Sequence, residues 1–329
     1  MASEFEVLHG GTTAASSTSS LSRKKYRASI YPKDEDVPTA FAELILELEK
    51  LLECKIWFII QQSGDGWDEI SNALYRGLAE RKGDIEANER IGLLIHSSGG
   101  QVSSAYQIVR LFQRRTEEFS TIVPLYAKGA ATLMALGGKK IIMGADAELG
   151  PLDVKIYDET RDEWGSAVDS VQSFERLNAY ARSAFDQAMQ LFTQRTGQKP
   201  MTLLPLALQY VTTMVGPLAD KIDTLELTRQ SRELKVAEDY AIRVMRPNYS
   251  EREYTKIARA MVEKYSSHEF IVDSAEAGAA GPLRLSAASP LNLGLHVSQP
   301  ARAIEDIFTR LSPYLRRFTM VGRLTEIPL

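Results

Sequence analysis

The feature that most constrains this chain is a unit that repeats: a short apolar run, a glycine-containing break, then residues at helical spacing. Ile91 to Ile95 is such a run, best read as a buried strand, and Ser97-Ser98-Gly99-Gly100 ends it. Val102, Ala105, Ile108, Val109 and Phe112 then recur at the three- and four-residue spacing of one helix face. The pattern returns with a strand-like stretch at 121–126, a helix-like one at 130–136 and a strand at 140–143. It is preceded by a helix at 38–52, a strand at 55–60 and a helix at 67–79. Strands alternating with helices across short turns argue for an α/β fold with a mainly parallel sheet.

The texture changes near residue 165. Val171, Phe174, Leu177, Ala181, Phe185, Ala188 and Leu191 mark a long helix ended by Gly197 and Pro200. Further helices are expected at 202–214, 224–246, 250–265 and 301–315, a strand at 270–272 and a loop at 275–289. The low-complexity residues 11–22 have too little apolar surface to offset the entropy of ordering. The organisation expected is a disordered tail over 1–35, an α/β core over 36–165, and a helical extension over 166–329 completing the same domain.

Composition removes several function classes. Among 329 residues, 39 Lys and Arg stand against 43 Asp and Glu, a net charge of −4. That balance advertises no nucleic-acid partner. The single cysteine, Cys54, excludes an intrachain disulfide or a cysteine-rich zinc site, and the four histidines (9, 96, 268, 296) show no metal-ligand spacing. No run of ~18 apolar residues appears, so no membrane span is expected. The first ten residues carry Glu4 and Glu6 and lack the basic end and apolar core of a secretion signal, so a cytoplasmic location is expected.

Two glycine features carry the chemistry. In His96-Ser97-Ser98-Gly99-Gly100-Gln101-Val102, two glycines at a strand end can aim backbone N–H groups at one point, a phosphate or a developing oxyanion. A plain tight turn is the competing reading. Neither the P-loop pattern nor the Gly-x-Gly-x-x-Gly fingerprint is present, and no cofactor is expected. In Tyr126-Ala127-Lys128-Gly129-Ala130-Ala131-Thr132-Leu133, small residues permit a sharp strand-to-helix elbow. The segment Glu148-Leu149-Gly150-Pro151-Leu152-Asp153 follows.

Together these motifs resemble the Clp-protease/crotonase superfamily. They are most similar to signal-peptide-peptidase-like serine peptidases of the serine dehydrogenase proteinase branch. The likeness rests on His96-Ser97-Ser98-Gly99-Gly100, on Gly129 to Leu136, on Leu149 to Asp153, and on the block Lys264 to Val272 with Glu276-Ala277. It implies a crotonase-like (Clp-protease-like) superhelix of repeated strand–turn–helix units with a helical C-terminal region. It implies a backbone oxyanion hole from Gly99, Gly100 and Ala130, a peptide or protein substrate, and a homo-oligomer whose interfaces the helices near 170–196 and 224–246 would supply.

The chain departs from the family at the nucleophile: Gly129 stands where the family has serine. Either an otherwise complete peptidase has lost its nucleophile, a pseudoenzyme, or the chain is a peptide-binding scaffold on a peptidase frame. Acyl-CoA chemistry of the crotonase type is a third reading. Thr132, Ser97 and Ser98 are the hydroxyls near enough to weigh as substitutes. Thr132 is expected to bond a backbone carbonyl one turn back. For the general base, Pro151 sits where a Clp-type histidine would be. Asp153, His268 and Lys155 are the candidates, Lys199 being the other lysine before residue 220, with turn support or surface charge as the plain readings. His96 reads as a half-buried structural histidine.

Overall fold

The computed structural model describes residues 24–32, 35–62, 67–152, 155–158, 163–265, 270–278, 295–298 and 300–327. The chain enters through β1 (Lys25–Ala28) and α1 (Thr39–Leu52), then alternates strand and helix. β2 (Lys55–Ile60) leads to α2 (Asn72–Glu80), β3 (Arg90–His96) to α3 (Val102–Gln113), and β4 (Glu118–Val123) through β5 (Tyr126–Ala127) to α4 (Ala130–Leu136). β6 (Ile141–Met143) and β7 (Glu148–Leu149) follow, then the hairpin of β8 (Lys155–Asp158) and β9 (Glu163–Ser166). Long helices come next: α5 (Ala167–Thr196), α6 (Pro200–Ala219), α7 (Thr224–Met245) and α8 (Glu251–Arg259). The chain closes with β10 (Val272–Asp273), α9 (Ser274–Ala277), β11 (Val297–Ser298), α10 (Arg302–Leu315) and β12 (Met320–Ile327).

The main sheet has the order β1-β12-β2-β3-β4-β6-β11. From β2 to β11 every pairing is parallel. β12 runs antiparallel to β2 and to β1. A small sheet, β10-β7-β5, stands beside it.

Alternation along each strand splits the core in two. Trp57, Ile59, Leu93 and Ile95 face α2, α3, α4, α7 and α8. Phe58, Ile60, Leu94 and Ile122 face α1 and α10. Strands buried on both faces read as continuous apolar runs, which is why 55–60 and 91–95 are visible in the sequence. On α1, Phe41, Leu44, Ile45 and Leu48 recur on one face and are all buried.

Three differences from the sequence-based expectation have physical causes. Residues 25–28, inside the stretch expected to be tail, form β1, and residues 320–327 form a strand in the sheet rather than part of a helical extension. Each finds its partner some 300 residues away, Lys25 opposite Ile327, a pairing with no local signature. The helix expected at 202–214 runs from Pro200 to Ala219 with no Asp, Glu, Lys or Arg. It meets the length and composition of a bilayer-crossing segment, although Thr202, Gln209, Thr212 and Thr213 interrupt any unbroken apolar run. Residues 1–23 lie outside the described residues.

Candidate active site

The site is built where the end of β3 meets the elbow between β5 and α4. Gly99 has φ 112° and Gly100 φ 141°, values that side-chain-bearing residues rarely adopt. The turn is braced from the outside. Ile70 N–H donates to Gly99 O at 2.8 Å, and Gln101 N–H donates to Ile70 O at 2.7 Å. A Cβ on Gly100 would lie 2.5 Å from Ile70 O and 2.6 Å from Ile70 N. One on Gly99 would lie 2.8 Å from Lys128 O and 3.2 Å from Ala130 N. The turn is therefore wedged between two backbones, and glycine is what fits.

On the facing side, Lys128 N–H donates to Ser97 O at 3.1 Å, tying the elbow to the turn. Gly129 has φ 49° and ψ −118° and stands at the N-cap of α4, whose seven residues are all buried. The sharp elbow expected from the small residues is present. Thr132 holds it from behind. Its hydroxyl lies 2.7 Å from Ala127 O and 2.9 Å from Gly150 O, and it accepts from Gly150 N–H at 3.2 Å. The hydroxyl thus reaches past the carbonyl expected one turn back to Ala127 O, before the helix begins, and also fastens the Leu-Gly-Pro segment to the elbow.

Among the proposed oxyanion donors the structure distinguishes roles. Gly99 N–H donates to Ser97 Oγ at 3.1 Å, so it is already engaged. Gly100 and Ala130 N–H donate to no acceptor among the described residues. Ser97 is fully buried, with its hydroxyl donating to Gln61 Oε1 at 2.7 Å, which makes it a turn support. Ser98 is exposed.

Of the candidate bases, Asp153 and His268 lie outside the described residues, and of Lys155 only the backbone, opening β8, is described. His96 is fully buried rather than half-buried. Its ring sits 4.1 Å from that of Tyr126 and its Nε2 accepts from Gln62 Nε2–H at 3.0 Å. Gln62 also donates to Leu315 O at the end of α10. His96 therefore lies on the α10 side of the sheet, with its ring against Tyr126 at the start of the elbow segment. Burial first, and then the Arg316 charge, lower its pKa to about 4, so it is neutral at physiological pH.

Two pairs were not foreseen. Lys128 Nζ lies 3.0 Å from Glu148 Oε1, with the side chains only 16% and 26% exposed, one residue before the elbow. Both residues stand in motifs the sequence singled out; their pairing follows from β5 running parallel to β7. Tyr265 Oη donates to Glu276 Oε1 at 3.0 Å, joining the two parts of the C-terminal block. Burial, ahead of every other cause, raises both their pKa values. β10 pairs with β7, and Leu152 N–H donates to Met261 O at 2.9 Å, so this block is docked against the Leu-Gly-Pro segment. Among the described residues no group of three or more His, Cys, Asp or Glu is placed to hold a metal ion.

The family model described as ClpP-like SDH-type serine proteinase matches residues 79–172, a span that holds the glycine turn, the elbow and the Leu-Gly-Pro segment. This part of the chain is similar to that family. The Clp-protease resemblance read from the motifs holds over that span, and the expected strand–turn–helix units with a mainly parallel sheet are present. A stretch of 66 residues is 44% identical to an uncharacterized protein of Methanocaldococcus jannaschii, covering 20% of this chain and 23% of that protein. A second uncharacterized protein of that organism is 35% identical over 66 residues with the same coverage. The match thus spans 23% of the length of either relative. Among solved structures, a crystal structure of methylmalonyl CoA decarboxylase aligns at 14% identity and a TM-score of 0.25, covering 64% of this chain and 93% of its own. Its complex with 2S-carboxypropyl CoA aligns at 13% identity with the same coverage and TM-score. The span similar to the ClpP-like family thus contains both the glycine turn and the elbow, with glycine at the elbow.

Proposed function

We propose that this chain binds an extended peptide at the glycine turn, on a serine-peptidase frame that lacks its nucleophile. The observation that carries the reading is the backbone of Gly129, bent at φ 49° and ψ −118° directly before the uncommitted N–H of Ala130, with the glycine turn against it. Gly100 and Ala130 N–H form the oxyanion hole. A seryl Oγ at position 129 would add to a peptide carbonyl carbon, its proton passing to a base for which Asp153, Lys155 and His268 are the candidates. The carbonyl π electrons would move onto oxygen, and the resulting negative oxygen would lie between those two donors. Glycine supplies no Oγ, so the bound carbonyl is polarised and goes no further. The peptide would lie extended beside the turn, held by main-chain hydrogen bonds.

The test compares the chain with its Gly129→Ser variant on a fluorescent unstructured peptide. The expected result is saturable binding by both and cleavage by Gly129→Ser alone. Binding by neither, with the fold intact by circular dichroism, would overturn the reading.

A further inference from the structure

α6 stands apart on the surface of this molecule. It carries no charged residue over Pro200–Ala219, yet only Leu203 and Ala207 are buried. Met201 is 79% exposed and Leu208 51%. A groove of about 550 Å³ between α5 and α6, lined by Phe192, Leu206, Tyr210 and Met214 among others, opens on another side of the helix from Met201 and Leu208, so apolar surface is exposed around much of its circumference. Exposed apolar surface of this extent marks an interaction site.

The charges gather at the two ends of the helix. Arg195 and Lys199 precede it; Asp220, Lys221 and Asp223 follow it. All five are exposed. Among the described residues none of Arg195, Lys199, Asp220 and Lys221 forms an ion pair, and Asp223 caps α7. One end is thus positive and the other negative overall, which selects the occupant. A bilayer fits poorly. α5 packs along α6 and carries exposed Arg182, Asp186 and Arg195, which would enter the hydrocarbon with it. A parallel copy would set Lys199 against Lys199. An antiparallel copy sets the positive end of each helix against the negative end of the other across an uncharged middle, an arrangement that a two-fold axis permits.

We propose that α6 is a self-association surface on which two copies of this chain pack antiparallel, with Gln209 and Tyr210 near the two-fold axis. The test uses the full chain with Cys54→Ser, so that an introduced cysteine is the only thiol. Paired helix axes lie about 8–10 Å apart. Gln209→Cys is therefore expected to form a covalent dimer with a bis-maleimide of ~10 Å reach. Met201→Cys, whose copies lie roughly 25 Å apart at 1.5 Å rise per residue, is expected not to. In sedimentation, Leu208→Glu is expected to weaken association at least tenfold. Lys199→Glu is expected to weaken it less, and Lys199→Glu with Asp220→Lys to restore it. A chain that is monomeric at every concentration would overturn the proposal. So would equal cross-linking at both positions, or failure of the charge exchange to restore association. Flotation of the chain with phosphatidylcholine–phosphatidylglycerol vesicles, abolished by Leu208→Glu, would overturn it in favour of a lipid surface.

Discussion

Gly129 holds a conformation that a serine can occupy only under strain. A residue with a Cβ at such φ and ψ costs on the order of 1–3 kcal/mol, so Gly129→Ser is expected to lower stability by about that amount in urea denaturation. A gain in reactivity together with a loss in stability is the signature of an elbow built for a nucleophile. Thr132 carries a different load. Its hydroxyl serves a carbonyl on either side and the Gly150 N–H. Thr132→Val keeps the shape and removes those bonds, at an expected cost of about 1–3 kcal/mol, while Thr132→Ser should keep most of the stability. His96 gives the fold a pH dependence. Its pKa falls to about 4 in the fold from about 6.5 when unfolded. In that window the unfolded chain binds the extra proton, so this contribution is present at neutral pH and lost as pH falls from 6.5 towards 4. By linkage the loss between pH 7 and pH 5 is about 2 kcal/mol. Urea denaturation at the two pH values checks it, and the His96→Gln variant should show that much less difference.

At the level of elements, the glycine turn is the most exacting. Gly100→Ala would place a methyl against the Ile70 backbone at a φ of 141°. The turn must then leave its brace, and a loss of ~2 kcal/mol or more is expected in thermal melts, with loss of peptide binding. The elements from α1 to β6 were legible because each declares itself locally: period 3.6 on α1 and α3, unbroken apolar runs on β2 and β3. β1 and β12 were not legible, because what makes them strands is each other. Arg27 and Tyr26 are ordinary tail residues until Thr325 and Glu326 stand opposite. The Gly322 in β12, at φ 127°, further hides the strand. α6 was legible as a helix, but its exposure was not, since an apolar helix in sequence looks like a core helix.

Across the whole molecule, the site is assembled from three stretches that the sheet brings together: the end of β3, the elbow after β5, and the Leu-Gly-Pro segment after β7. The first two could be read from sequence because their glycines answer to backbone constraints that residue type reveals. The division within them could not: Gly99 N–H and the Ser97 hydroxyl are engaged in holding the turn, while Gly100 and Ala130 N–H meet no acceptor among the described residues. The Ile70 brace and the Lys128–Glu148 pair depend on three-dimensional neighbours that no spacing announces. The central claim, an oxyanion hole waiting on a missing nucleophile, is tested most directly by treating the Gly129→Ser chain with a fluorophosphonate and locating the adduct by mass spectrometry. The expected result is a single adduct on the residue at 129, with no adduct on the unaltered chain. No adduct at that position in a folded Gly129→Ser chain, or equal labelling of both chains elsewhere, would contradict it.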